Sequence, residues 1–159
     1  MIHSIPRIGR SRALHLIDAE NLCGSSLVTV SAMIKLRDAY LEGVPMGPLD
    51  QVVLASSHAS ILALGMGWPG KRYLMQSGKD GADICLARII AEENVETRFD
   101  YVYMGSGDGG LAPFSAYLEG HGVRVTAVSL AHSLSPRMRM ATSDVILLDR
   151  PGIVVLPAA

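Results

Sequence analysis

Short apolar runs alternate along the chain with stretches whose apolar positions recur every three or four residues. Ala13 to Ile17, Gln51 to Ala55, Asp100 to Met104 and Val123 to Val128 read as buried strands, and Arg72 to Met75 as a shorter one. Between the first two, Val30, Met33, Ile34, Arg37 and Leu41 keep a helical spacing that Gly43 and Pro45 close, with Ser25 or Ser26 as the expected cap. Ala59 to Leu64 predict a short helix before Gly65, Gly67, Pro69 and Gly70 break the pattern. A further helix runs from Asp83 to about Glu92, with Ile84, Ala87, Ile90 and Ala91 on its packed side. Leu111, Phe114 and Leu118 line the next, with Pro113 tolerable in its first turn. Ser133 to Ala141 hold a short helix around Pro136, and Val145 to Leu148 and Ile153 to Leu156 are two last apolar segments.

Strands separated by helices imply an α/β fold with a mainly parallel sheet covered on both faces. Right-handed crossovers then bring the carboxyl ends of the strands to one edge, where ligands bind at the point of strand-order reversal. Composition agrees: 159 residues, 49% hydrophobic and 18% charged, suit one folded domain over residues 13–159. Met1 to Arg12 holds Arg7, Arg10 and Arg12 without an apolar core, so it reads as a short arm rather than a secretory signal. No apolar run reaches the roughly 18–20 residues of a membrane span. Cys23 and Cys85 belong to no metal-ligand or redox cluster, and free thiols fit a cytoplasmic protein. A net charge of -1 lacks the excess of a scanning nucleic-acid binder, yet leaves room for a local basic rim.

Three acidic residues fall at the predicted carboxyl edge. Asp18 ends the first strand, Asp108 follows the fourth within Gly105-Ser106-Gly107-Asp108-Gly109-Gly110, and Asp83 opens a helix after a loop. Each has a local alternative. Asp18 can form an Asx turn over Glu20 and Asn21, Asp83 can favour its helix dipole behind an Asp80 cap, and Asp108 can cap the helix after it. Three carboxylates brought together would raise at least one pKa unless a cation joined them. Mg²⁺ or Mn²⁺ suits such oxygen ligands and supports phosphodiester hydrolysis. The glycine run formally matches G-x-G-x-x-G, but Asp108 would face pyrophosphate with the wrong sign and the run follows the fourth strand.

Leu16-Ile17-Asp18-Ala19-Glu20-Asn21, Lys79-Asp80-Gly81-Ala82-Asp83 and Gly105 to Pro113 together resemble the NYN family of PIN-like ribonuclease domains. Gly122 to Val125 and Ala141 to Ile146 continue the resemblance, which covers roughly Ala13 to Asp149 in order. It implies a three-layer α/β/α sandwich, with Asp18, Asp83 and Asp108 as catalytic metal ligands for Mg²⁺ or Mn²⁺. Asn21 would support the site, as would Asp144 from a late family position. Two departures stand out: Gly110 and Ile89 occupy positions that are usually acidic in the family.

The expected activity is therefore divalent-metal-dependent hydrolysis of RNA, single-stranded or structured, with homo-oligomerisation left open. The alternatives are a nucleic-acid or nucleotide binding module with impaired catalysis, which Gly110 motivates, and a protein-interaction scaffold. His58, Arg137 and Arg139 are the candidate substrate contacts, against a buried histidine and solvated arginines as their plain accounts. Trp68 is expected in packing rather than as a stacking platform, and Tyr101 and Tyr103 between sheet and helix.

Overall fold

A computed structural model describes residues 12–150 and the backbone of Val154–Val155. The predicted arm, residues 1–12, lies outside the described residues except for Arg12. That residue bonds the Arg98 carbonyl and lies 4.7 Å from the Phe99 ring centroid.

Seven strands form one sheet: β1 Ala13–Asp18, β2 Gln51–Ser56, β3 Arg72–Met75, β4 Tyr101–Gly105, β5 Arg124–Ser129, β6 Asp144–Leu147 and β7 Val154–Val155. Their order is β3-β2-β1-β4-β5-β6-β7, with β7 antiparallel at one end and every other pair parallel. The chain winds outward from β1 to β3, then returns to β4 beside β1 and winds the other way. Strand order therefore reverses between β1 and β4, where the two following loops diverge and leave a crevice.

Both faces are covered, as in a three-layer α/β/α sandwich. Leu14 and Leu16 point to a core shared with α4 (Gly81–Glu92), α6 (Ala112–Gly120) and α7 (Pro136–Ala141). Ile17, Val52 and Leu54 point the other way, onto α1 (Ala19–Cys23), α2 (Val30–Gly43) and α3 (Ile61–Gly67). The period-two alternation of β1 thus feeds both layers, and a one-residue slip would exchange them. A short α5 (Val95–Arg98), absent from the sequence reading, precedes β4. Among the described residues no helix is long and apolar enough to cross a membrane.

Four local expectations change. The polar turn after Asp18 is helical, because Asp18 caps it and Gly24 ends it at φ 68°. Thr29, rather than Ser25 or Ser26, caps α2. Ser135 caps α7 by accepting from Met138 N–H, so that helix starts at Pro136, not at Ser133. Tyr101 is 40% exposed, whereas Tyr103 stacks on buried His15 at 4.7 Å. Trp68 is buried as expected, with its ring 5.7 Å from that of Tyr40.

A polar network holds the opposite edge of the sheet. His15 is fully buried, with Nε2 2.9 Å from Asp50 Oδ2 and Nδ1 2.7 Å from the Tyr40 hydroxyl. An ionised Asp50 can only accept, so Nε2 carries the proton and Nδ1 accepts from Tyr40. Burial lowers the His15 pKa against the pull of Asp50, in keeping with a neutral ring.

Candidate metal centre

The carboxyl ends of β1 and β4 lie side by side, since Ile17 pairs with Gly105. Asp18 follows at once and is 8% exposed. Its Oδ1 accepts from Asn21 N–H at 3.1 Å, and Asn21 Oδ1 in turn accepts from Gly107 N–H at 3.2 Å. Asn21 thereby ties the turn after β1 to the turn after β4. Asp108 accepts from Gly110 N–H at 2.8 Å and opens a single 3-10 turn over Gly109–Leu111. Asp18 and Asp108 are thus both caps and cleft residues, because a capping carboxylate commits one oxygen and leaves the other.

Gly107 makes this packing work. A methyl group in place of its hydrogen would collide with the Ser133 carbonyl and the Ser129 hydroxyl. Only a residue without Cβ lets this turn pass so close to the segment before α7, and Ser135 N–H bonds the Gly107 carbonyl there at 2.9 Å.

Asp83 comes from α4, in its first turn, and is 9% exposed. Its Oδ1 is buried with no hydrogen-bond partner. Asp80 stands one helical turn earlier, at the N-cap position, in the left-handed region with φ 59° and no side-chain capping bond. The expected cap is therefore not made by its side chain. Instead Asp80, Asp83 and Asp108 each offer an oxygen within 4.8 Å of the others. Sequence reasoning missed Asp80 as a member of the site. The signal was present: carboxylates three apart at a helix start share one face.

Asp18 lines the same cleft, a cavity of about 450 Å³ with Glu20, Asn21, Ser57, Asp80, Asp83 and Asp108 among its walls. Burial pushes the Asp18 carboxyl up to about 6 despite the Asn21 bond, with Glu20 and Asp108 adding repulsion. Burial, Asp108 and Asp18 together push Asp83 up to about 7. Protons would occupy part of this cluster near neutral pH unless a cation replaced them. The donors are all oxygen, as hard divalent cations prefer.

Several expected contributors lie elsewhere. Asp144 opens β6 and pairs with Arg124 at 2.8 Å. In a parallel sheet its place as first strand residue puts it toward the amino edge, away from the three carboxylates. His58 is exposed and bonds Ser77, and its neighbour Ser57 lines the cleft instead. Arg139 lines a separate cavity with His132, Asp149 and Arg150. Arg137, exposed on α7, lies against Gly109 beside the cleft. Glu20 is in the cleft wall, but its carboxylate accepts from the Ser57 N–H and hydroxyl. Ile89 packs in the core at 3% exposure, so an acid there would be buried rather than presented.

No family model matches the sequence, and no curated protein matches it. A crystal structure of a protein of unknown function from Vibrio parahaemolyticus is similar in fold, with a TM-score of 0.65 at 12% identity. The match covers 95% of this chain and 100% of that one. The likeness is one of architecture.

Proposed function

We propose that the chain is a divalent-metal-dependent ribonuclease of the NYN, PIN-like kind. The observation that carries this reading is the convergence of Asp80, Asp83 and Asp108, each with an oxygen within 4.8 Å of the others, at a site where burial and Asp108 already push the Asp83 carboxyl up. A cation is the partner that would relieve their mutual repulsion. Asp80, Asp83 and Asp108 would hold it, with Asp18 across the cleft.

Mg²⁺ or Mn²⁺ bound there would lower the pKa of water and offset phosphodiester charge. The protein's own part is positional. Asn21 fixes the two strand-end turns relative to each other, and Asp18 can orient or accept a proton from a water in the cleft. Arg137, whose Cβ stands close to Gly109 next to Asp108, is the arginine assigned to a phosphate beyond the carboxylates. RNA enters this reading through the sequence resemblance.

The departure at Gly110 favours a second reading, a nucleic-acid-binding module without turnover, since glycine supplies no ligand. Single-stranded RNA incubated with Mn²⁺ and wild-type protein, beside Asp83→Asn and Asp18→Asn, separates the two. Cleavage by wild type and its loss in both variants is the expected result. Equal cleavage by all three would refute the assignment, and tight binding without cleavage would establish the second reading.

A further inference from the structure

The three clustered carboxylates border a second cavity besides the polar cleft. On their other side lies a groove of about 530 Å³ between α4 and α6, whose walls include Ile84, Ala87, Ala91 and Phe114. Asp80, Asp83 and Asp108 belong to both spaces. A ligand held at the carboxylates therefore has one polar and one apolar side to extend into.

Gly110 lines this groove beside two of the carboxylates. A Cβ at this position would lie 3.2 Å from Asp108 Oδ1 and 3.6 Å from Asp83 Oδ2, so any side chain would crowd both. The residue that departs from the family pattern removes a ligand and, by the same change, leaves the groove uncrowded beside Asp108 and Asp83.

We propose that this groove receives the nucleobase of the nucleotide whose phosphate lies at the carboxylates. The proposal rests on the ribonuclease reading. Asp83, Ala87 and Ala91 repeat every four residues along one face of α4, and Phe114 faces them from α6, half-buried. This gives a base one aromatic surface and one aliphatic wall, the combination that holds unstacked bases. Ile84 is 40% exposed beside the carboxylates and is covered when a base enters. Arg88 and Glu92, one turn apart on α4, also line the groove, and Arg88, exposed and in no ion pair among the described residues, supplies the cation for a neighbouring phosphate. It lies about 7.5 Å farther along α4 than Asp83, on the scale of one nucleotide step. A base can enter only after leaving a duplex stack, so the groove selects single strands.

The test uses short fluorescein-labelled single-stranded RNA, intact or with one abasic position moved along it. Binding is read by anisotropy with Ca²⁺ and cleavage with Mn²⁺. Wild-type protein should lose about five-fold or more in affinity when one particular base is missing. Phe114→Ala, Ile84→Glu and Gly110→Leu should weaken binding of intact RNA by a similar factor and abolish sensitivity to that abasic position. The abasic scan on wild type needs no variant to fold, and Ile84→Glu alters an already exposed side chain. RNA cleavage with a flat abasic scan would overturn the groove proposal and leave the ribonuclease reading standing, whereas binding with a flat scan and no cleavage would overturn both the groove and the ribonuclease reading. Neither binding nor cleavage by wild type would overturn both.

Discussion

Asp83→Asn should make the metal-free protein more stable at pH 8, although it removes a side chain from the centre of the site. The wild-type carboxyl is raised from its ordinary 3.8 to about 7, first by burial and then by Asp108 and Asp18. Each pKa unit corresponds to about 1.4 kcal/mol, so the ionised form carries a penalty of roughly 4 kcal/mol before screening. Solvent reaches the cleft past exposed Asp80, and about 2 kcal/mol is the discounted figure. Against this, a negative charge in the first turn of α4 gains about 0.5 kcal/mol from the helix dipole. Repulsion and burial win, for a net gain of roughly 1–2 kcal/mol in the variant. In a chain of this size that raises Tm by about 3–6 °C.

The sign in pH follows from the raised value. The folded state holds the proton more tightly than the unfolded one, so wild-type stability declines as pH rises from about 4 and the full penalty applies above about 7. The two proteins should therefore unfold together near pH 4 and diverge toward pH 8. Mn²⁺ should reverse the order, because saturation at about 100 times Kd stabilises a binding-competent fold by about 2.7 kcal/mol. Thermal unfolding followed by circular dichroism at both pH values, with and without Mn²⁺, reads all of this. Equal or lower stability of Asp83→Asn at pH 8 without metal would refute the electrostatic argument. Equal stabilisation of both proteins by Mn²⁺ would place the ion elsewhere.

Asp50→Ala should cost about 3 kcal/mol, measured by urea unfolding, because it strands His15 and the N–H groups of Ala13 and Gly47. Burial pushes Asp50 up, but its bonds from His15, Ala13 and Gly47 together hold it below the usual carboxylate value. Its contribution is therefore present above about pH 4 and lost as pH falls through the lowered value, a loss the variant should not show. Gly107→Ala should cost about 1–3 kcal/mol through its collision with Ser129 and Ser133, and should also reduce RNA cleavage. Asn21→Ala should leave Tm within about 2 °C, since its side chain makes one partly exposed bond, but reduce cleavage by loosening Asp18 against Asp108.

The architecture was legible because it depends on period and order. The alternation of Leu14, His15, Leu16 and Ile17 sends successive side chains into the two layers, and the glycine and proline breaks mark the crossovers. Asp18, Asp83 and Asp108 could be assigned to one edge because in a parallel sheet chain direction alone decides which strand ends meet. Asp144 was misplaced when the family position outweighed that rule: as the first residue of β6 it belongs to the amino edge, whatever its neighbours in sequence. Asp80 was missed for a different reason. Capping is the usual fate of an aspartate before a helix, and only a left-handed backbone, which sequence does not announce, turns this one from the cap toward Asp83 and Asp108. Arg139 shows a third limit, since neighbours on so short a helix as α7 diverge by about 100° per residue and need not serve the same cleft as Arg137. Gly110 joins these lessons. In sequence it is only a position where the resemblance would expect a carboxylate, whereas in space a Cβ there would stand 3.2 Å from Asp108 Oδ1 on the wall of the apolar groove. Whether a departure from a motif weakens a site or reshapes it depends on what the absent atoms would have touched, and here they would have touched Asp108 and Asp83.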